Sequence, residues 1–76
     1  NPFRGRTVLR VSAAEGEAVE VALFDALGRH IETLYAGAPG AGAEVGIDGR
    51  ALPPGTYLVR MTGETVRATQ RVTVVR

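Results

Sequence analysis

The chain has 76 residues, 45% of them apolar and 22% charged, with nine basic residues against eight acidic ones and no cysteine. Those values describe one small ordered domain. A net charge of +1 gives no basis for a dedicated nucleic-acid binder. Without cysteine there are no disulfides and no thiolate metal sites. A domain of this length buries only about 60–65% of the surface its unfolded chain exposes, so its core is thin and a deep cleft does not fit. All nine basic residues are Arg. Arg holds planar anions bidentately, but uniform Arg usage is read first as a trait of a GC-rich genome or a warm habitat.

Alternation with period two dominates the pattern, as expected of antiparallel strands with one buried face. Thr7, Leu9 and Val11 form one face of the first strand, with Val8 and Arg10 on the other. Ala14-Glu15-Gly16-Glu17 reads as a turn. Val19, Val21 and Leu23 mark the second strand, which runs to Phe24. Asp25-Ala26-Leu27-Gly28 is a strong turn signal: the Asp25 carboxylate accepts a backbone N–H, and Gly28 takes the left-handed position without steric cost. The third strand carries Ile31, Leu34 and Tyr35, and the three-residue spacing of Ile31 and Leu34 predicts a bulge or a loose end.

Residues 36–43 contain Gly37, Pro39, Gly40 and Gly42 and no large side chain, so they are expected to form an exposed, mobile loop. Val45 and Ile47 mark a short fourth strand. In Leu52-Pro53-Pro54-Gly55, Pro54 presets φ and Gly55 is free to take a positive one. Tyr57, Val59 and Met61 alternate next. Gly63-Glu64 fits a two-residue hairpin with glycine in its first central position. That register sets Met61 against Val66, Val59 against Ala68 and Arg60 against Arg67. Val72 and Val74 continue the alternation and are expected to pair with the strand at Thr7–Val11, closing a Greek-key sandwich. The expected buried set is Leu9, Val11, Val19, Val21, Leu23, Val45, Ile47, Tyr57, Val59, Met61, Val66, Val72 and Val74. The fold class is therefore all-β: a small immunoglobulin-like, Greek-key antiparallel β-sandwich of six or seven strands.

No catalytic constellation emerges. His30 is the one imidazole and has no Ser, Cys or acid partner at an arguable spacing, so it reads as a turn histidine. Asp25 and Asp48 stand where turns need an Asx residue, which accounts for them without a metal. The aromatic residues are Phe3, Phe24, Tyr35 and Tyr57. Phe24 and Tyr57 sit in strands and are expected in the core, which leaves too few rings for a sugar platform. Like charges at Arg60 and Arg67, with Arg71 on the same outer face, are unfavourable across strands. Screening by solvent is the simple account; an anion-docking strip is the functional one. The longest apolar runs fall far below the roughly 20 residues that span a bilayer as a helix.

The order of these features resembles a known family. Asn1-Pro2-Phe3 precedes a Thr7-x-Leu9-x-Val11 strand. Val19-x-Val21-x-Leu23-Phe24-Asp25, Leu27-Gly28-Arg29, Leu52-x-x-Gly55-x-Tyr57 and a valine strand ending in Arg76 follow. Together they resemble the C-terminal sorting domain of proteins exported by the type IX secretion system, and are similar to the immunoglobulin-like domain of the flagellar hook-capping protein. The resemblance implies a seven-stranded sandwich without catalysis or cofactor. It implies recognition by outer-membrane secretion and attachment machinery, and export of a parent protein, such as a polysaccharide-degrading enzyme or a protease, to the cell surface. Residues 1–76 are expected to be one module of that longer protein. A partner would dock on a terminal strand at a sheet edge, through Arg71, Val72, Thr73, Val74, Val75 and Arg76, with Arg60 and Arg67 contacting an anion such as surface polysaccharide. The alternative is a carbohydrate-binding or spacer module of a secreted enzyme.

Overall fold

Branched and aromatic side chains at every second position give strands that each have one apolar face, and two such faces have to meet. In the computed structural model, which describes residues 2–75, they meet between a five-stranded and a two-stranded sheet. Asn1 and Arg76 lie outside the described residues. The strands are β1 (Pro2–Phe3), β2 (Arg6–Val11), β3 (Val19–Asp25), β4 (His30–Gly37), β5 (Ala43–Asp48), β6 (Gly55–Gly63) and β7 (Arg67–Val74), with a 3₁₀ turn at Gly49–Ala51. The larger sheet runs β1-β7-β6-β3-β4 and the smaller pairs β2 with β5. Every pairing is antiparallel except β1 beside β7.

The core between the layers holds Val21, Leu23, Tyr57, Val59, Val72 and Val74 from the large sheet, Val45 and Ile47 from the small one, and Leu52 from the connection between β5 and β6. Leu52 was not in the expected set. Phe3 and Tyr35 pack against the core from its margin. Phe24 departs from expectation: the parity that sends Val21 and Leu23 inward sends Phe24 to the outer face, where it is half-buried. Leu9, Val11, Met61 and Val66, all expected to be buried, are also only half-covered.

The bulges fall where the spacing of Ile31 and Leu34 placed them. Val21 pairs with Tyr35 and Ala22 with Thr33, which skips Leu34; Leu23 pairs with Glu32 and Phe24 with His30, which skips Ile31. The extra residue at Leu34 lets that side chain reach the core margin, while Ile31 stays 40% exposed.

Three local expectations are corrected. The β6–β7 hairpin turns one residue later than its glycine suggested: Gly63 N–H donates to Val66 O at 2.8 Å, leaving Glu64 and Thr65 as the tip. Met61 therefore faces Ala68, Val59 faces Gln70, and Arg60 faces Thr69, so Arg60 and Arg67 are not opposed. The shift keeps every side chain on its expected face because it moves each pairing by two residues. The role of Gly63 is steric: a Cβ there would lie 2.9 Å from Val19 Cγ1 and 3.0 Å from Val66 Cγ1. Secondly, β7 does not pair with Arg6–Val11. Its whole length is the second arm of the β6 hairpin, and its other edge at Thr73 and Val74 is taken by β1. The chain bends after Phe3 through Gly5, at φ 75°, and continues as β2 in the other layer. Thirdly, residues 36–43 are pinned rather than loose. Pro39 is buried, Ala13 N–H donates to Gly40 O at 2.9 Å, and Gly42 N–H donates to Pro39 O at 3.1 Å.

The distinction between covered and half-covered positions is measurable. Leu23→Ala should cost about 2–5 kcal/mol, the range for emptying a tightly packed site. Met61→Ala should cost much less, because much of that side chain is already in water. Urea unfolding of the two variants checks the order, and equal losses would contradict the layer arrangement.

Candidate functional site

The turns set the frame. Asp25 closes the β3–β4 connection: its Oδ1 accepts the backbone N–H groups of Leu27 and Arg29 at 2.9 Å each, and its Oδ2 accepts Arg29 Nε at 2.8 Å. Gly28, at φ 86°, donates its N–H to Asp25 O at 2.9 Å. Asp48 does the same work beside the 3₁₀ turn, accepting Arg50 N–H at 3.0 Å and Arg50 Nε at 2.9 Å. Both carboxylates are thus engaged by turn backbone and a neighbouring Arg, as the sequence suggested for Asx positions. Gly55 starts β6 with φ 149°, and the Tyr57 hydroxyl donates to Pro53 O, which fixes the Pro53-Pro54 corner against the sheet.

A further carboxylate was missed in the sequence. Glu17, in the turn before β3, accepts both the N–H and the hydroxyl of Thr65 at 2.7 Å each, 48 residues away. This clamp holds the tip of the β6–β7 hairpin and selects Glu64-Thr65 over Gly63-Glu64 as its turn. Nothing in the local spacing announces it, because the partners meet only after β3 and β6 pair.

The expected docking residues divide between the two faces of the large sheet. Arg60, Arg67 and Arg71 are exposed on the outer face. Arg60 faces Thr69, Arg71 faces Leu58 and Arg67 faces Thr62, so the three guanidinium groups alternate along two neighbouring strands. The Arg60 guanidinium stacks 4.5 Å above the Phe24 ring, and His30 meets that ring edge-on at 5.5 Å. His30 Nε2 lies 3.1 Å from Thr33 Oγ1. Val72 and Val74 are each 1% exposed in the core, while Thr73 and Val75 are half-buried. Thr73 and Val74 lie between β1 and β6, so this end of β7 is not a sheet edge. The edge expected there lies further back, at Ala68–Gln70. Arg76 lies outside the described residues.

The aromatic rings are spent on packing. Tyr57 is core, Phe3 and Tyr35 support it, and one face of Phe24 is covered by Arg60. Among the described residues no group of three or more His, Cys, Asp or Glu is placed to hold a metal ion, and no helix is long and apolar enough to cross a membrane.

These features define a small β-sandwich-like module in which Asp25, Asp48 and Glu17 have structural roles and the outer face of the large sheet carries a set of exposed arginines beside an open strand edge. The family comparison agrees: the model described as "Secretion system C-terminal sorting domain" matches residues 1–75. The chain belongs to that family, the type IX secretion C-terminal sorting domains. Membership carries a targeting role in type IX secretion and an interaction with its machinery. No curated protein and no solved structure matches the chain.

The three carboxylates give a pH signature. Thr65 N–H, then its hydroxyl, hold Glu17 below the usual carboxylate range; Arg29 N–H leads the same effect on Asp25, and the Arg50 side chain on Asp48. Folded values lie below unfolded ones. Their stabilisation is therefore complete above the ordinary carboxylate range and is lost as pH falls through the lowered folded values. The unfolding midpoint should stay flat from neutral to about pH 5 and drop steadily below about pH 4. Glu17→Gln should lower the neutral-pH midpoint and reduce the acid-side drop. A wild-type midpoint insensitive to acid would contradict these contacts.

Proposed function

We propose that this module is the export and attachment address of a larger secreted protein, a hydrolase such as a polysaccharide-degrading enzyme or a protease, and that it performs no catalysis itself. The observation that carries the reading is the family match over residues 1–75. The engagement of Asp25, Asp48 and Glu17 in turns supports it, since each has a structural role. In this reading the outer-membrane machinery recognises the region of β7. The alternating Arg60, Arg67 and Arg71 meet an anionic group, of the kind carried by surface polysaccharide, at the cell surface. Guanidinium groups suit that contact because they remain charged and bind carboxylate or phosphate in a fork.

Two alterations in the native host test the proposal. Deleting Val72 through Arg76 removes two core valines along with any signal, so it should block export and also unfold the module. The triple variant Arg60→Gln, Arg67→Gln, Arg71→Gln leaves the inner face intact. It should keep the fold and lower the amount of parent protein retained at the surface. If deletion of the whole module leaves export and attachment unchanged, the sorting role is wrong. Normal attachment of a folded triple variant would remove the arginines from it.

A further inference from the structure

The half-covered positions Leu9, Val11 and Met61 are neighbours. They surround a groove of about 260 Å³ between the free edge of β2 and the first half of β7, with Val21 and Val59 as its floor. Both rims are strand edges. β2 pairs only with β5, and β1 covers β7 only at Thr73 and Val74. Among the described residues, then, no strand lies beyond the edge at Ala68–Gln70. Backbone N–H and C=O groups on such edges are open to pairing with another chain. The groove combines what one added strand needs: an apolar floor for every second side chain and main-chain partners at its sides.

Charge narrows the occupant. Arg10 is the one charged residue among those lining the groove, and Arg67 begins the β7 edge; no carboxylate lines it. We propose that the groove between β2 and β7 is the docking site for an extended peptide segment of the secretion machinery. Its alternate residues are apolar and face Val59 and Met61, and its intervening residues are acidic and face Arg10 and Arg67. The proposal rests on the targeting reading and specifies its partner surface. It moves the docking edge from the end of β7 to the β7 segment that β1 leaves open.

The test uses the 76-residue chain, labelled for amide NMR, and a capped peptide alternating Val and Glu over about six residues, the usual length of a strand. The expected result is a set of shifts and slowed amide exchange confined to Ala68–Gln70 and Leu9–Ser12. A peptide alternating Val and Lys should bind at least about tenfold more weakly, the difference expected when like charges replace complementary ones. Ala68→Trp fills the groove with an exposed, strand-favouring side chain and should abolish the shifts without unfolding the domain. No response at millimolar peptide overturns the proposal, as does equal binding of the Lys peptide. Protection of the same amides by self-association at high protein concentration overturns it too, because the occupant is then a second copy. In the host, the parent protein bearing Ala68→Trp should be retained inside the envelope. If that variant is exported normally while deletion of the module blocks export, the targeting role stands and the groove proposal falls.

Discussion

A two-stranded layer has to cover one face of a five-stranded one, and the rest of the molecule follows from that mismatch. Val45 and Ile47 on β5, with Leu9 and Val11 on β2, supply the small layer's inner surface. That surface suffices for Val21, Leu23, Tyr57, Val59, Val72 and Val74, which are nearly dry. It does not extend over the first half of β7, so Met61 and Ala68 keep contact with water. In so small a domain each well-buried aliphatic side chain contributes about 1.5–3 kcal/mol, a large share of a marginal total. The sandwich is therefore stable where its layers overlap and accessible where they do not.

The polar groups complement this arrangement. The thin core leaves no place for a buried charge, and the core side chains are apolar apart from the hydroxyl of Tyr57, which finds Pro53 O. Three carboxylates instead stand at the ends of strands. Asp25 and Asp48 satisfy turn N–H groups that the sheets leave over, and Glu17 ties the hairpin tip back to the start of β3. Acids used in this way set register and turn geometry.

The last strand has two unlike halves. Thr73 and Val74 are enclosed by β1 and β6, and the side chains of Val72 and Val74 are buried in the core, so this half contributes to the fold. The Arg67–Gln70 half carries exposed side chains and, from Ala68, an edge without a neighbour among the described residues. The terminal strand is expected to offer an open edge at Arg71–Arg76, but parallel pairing with Pro2–Phe3 closes it at Thr73 and Val74. Among the described residues, the part of β7 left open to strand addition is thus the part richer in polar residues, beside the arginines of the outer face.

Period-two alternation by itself marked six of the seven strands and nearly all of the core, because each inward side chain is set by its own parity; β1 at Pro2–Phe3 is too short to show a period. Turn chemistry determined the positive φ at Gly28 and Gly55 and the use of Asp25, because those requirements are met within a few residues. The bulges at Ile31 and Leu34 were legible for the same reason. Family membership was legible in the order of the motifs. Tertiary structure alone decided the order of the strands across the two layers, the one-residue displacement of the β6–β7 turn and the burial of Pro39. Each of these depends on partners distant in sequence: Glu17 reaching Thr65, β1 occupying the edge of β7, and Gly40 accepting from Ala13. The open groove belongs with them, since alternation marks which side chains face inward and only the packing of the two layers decides which of those are covered.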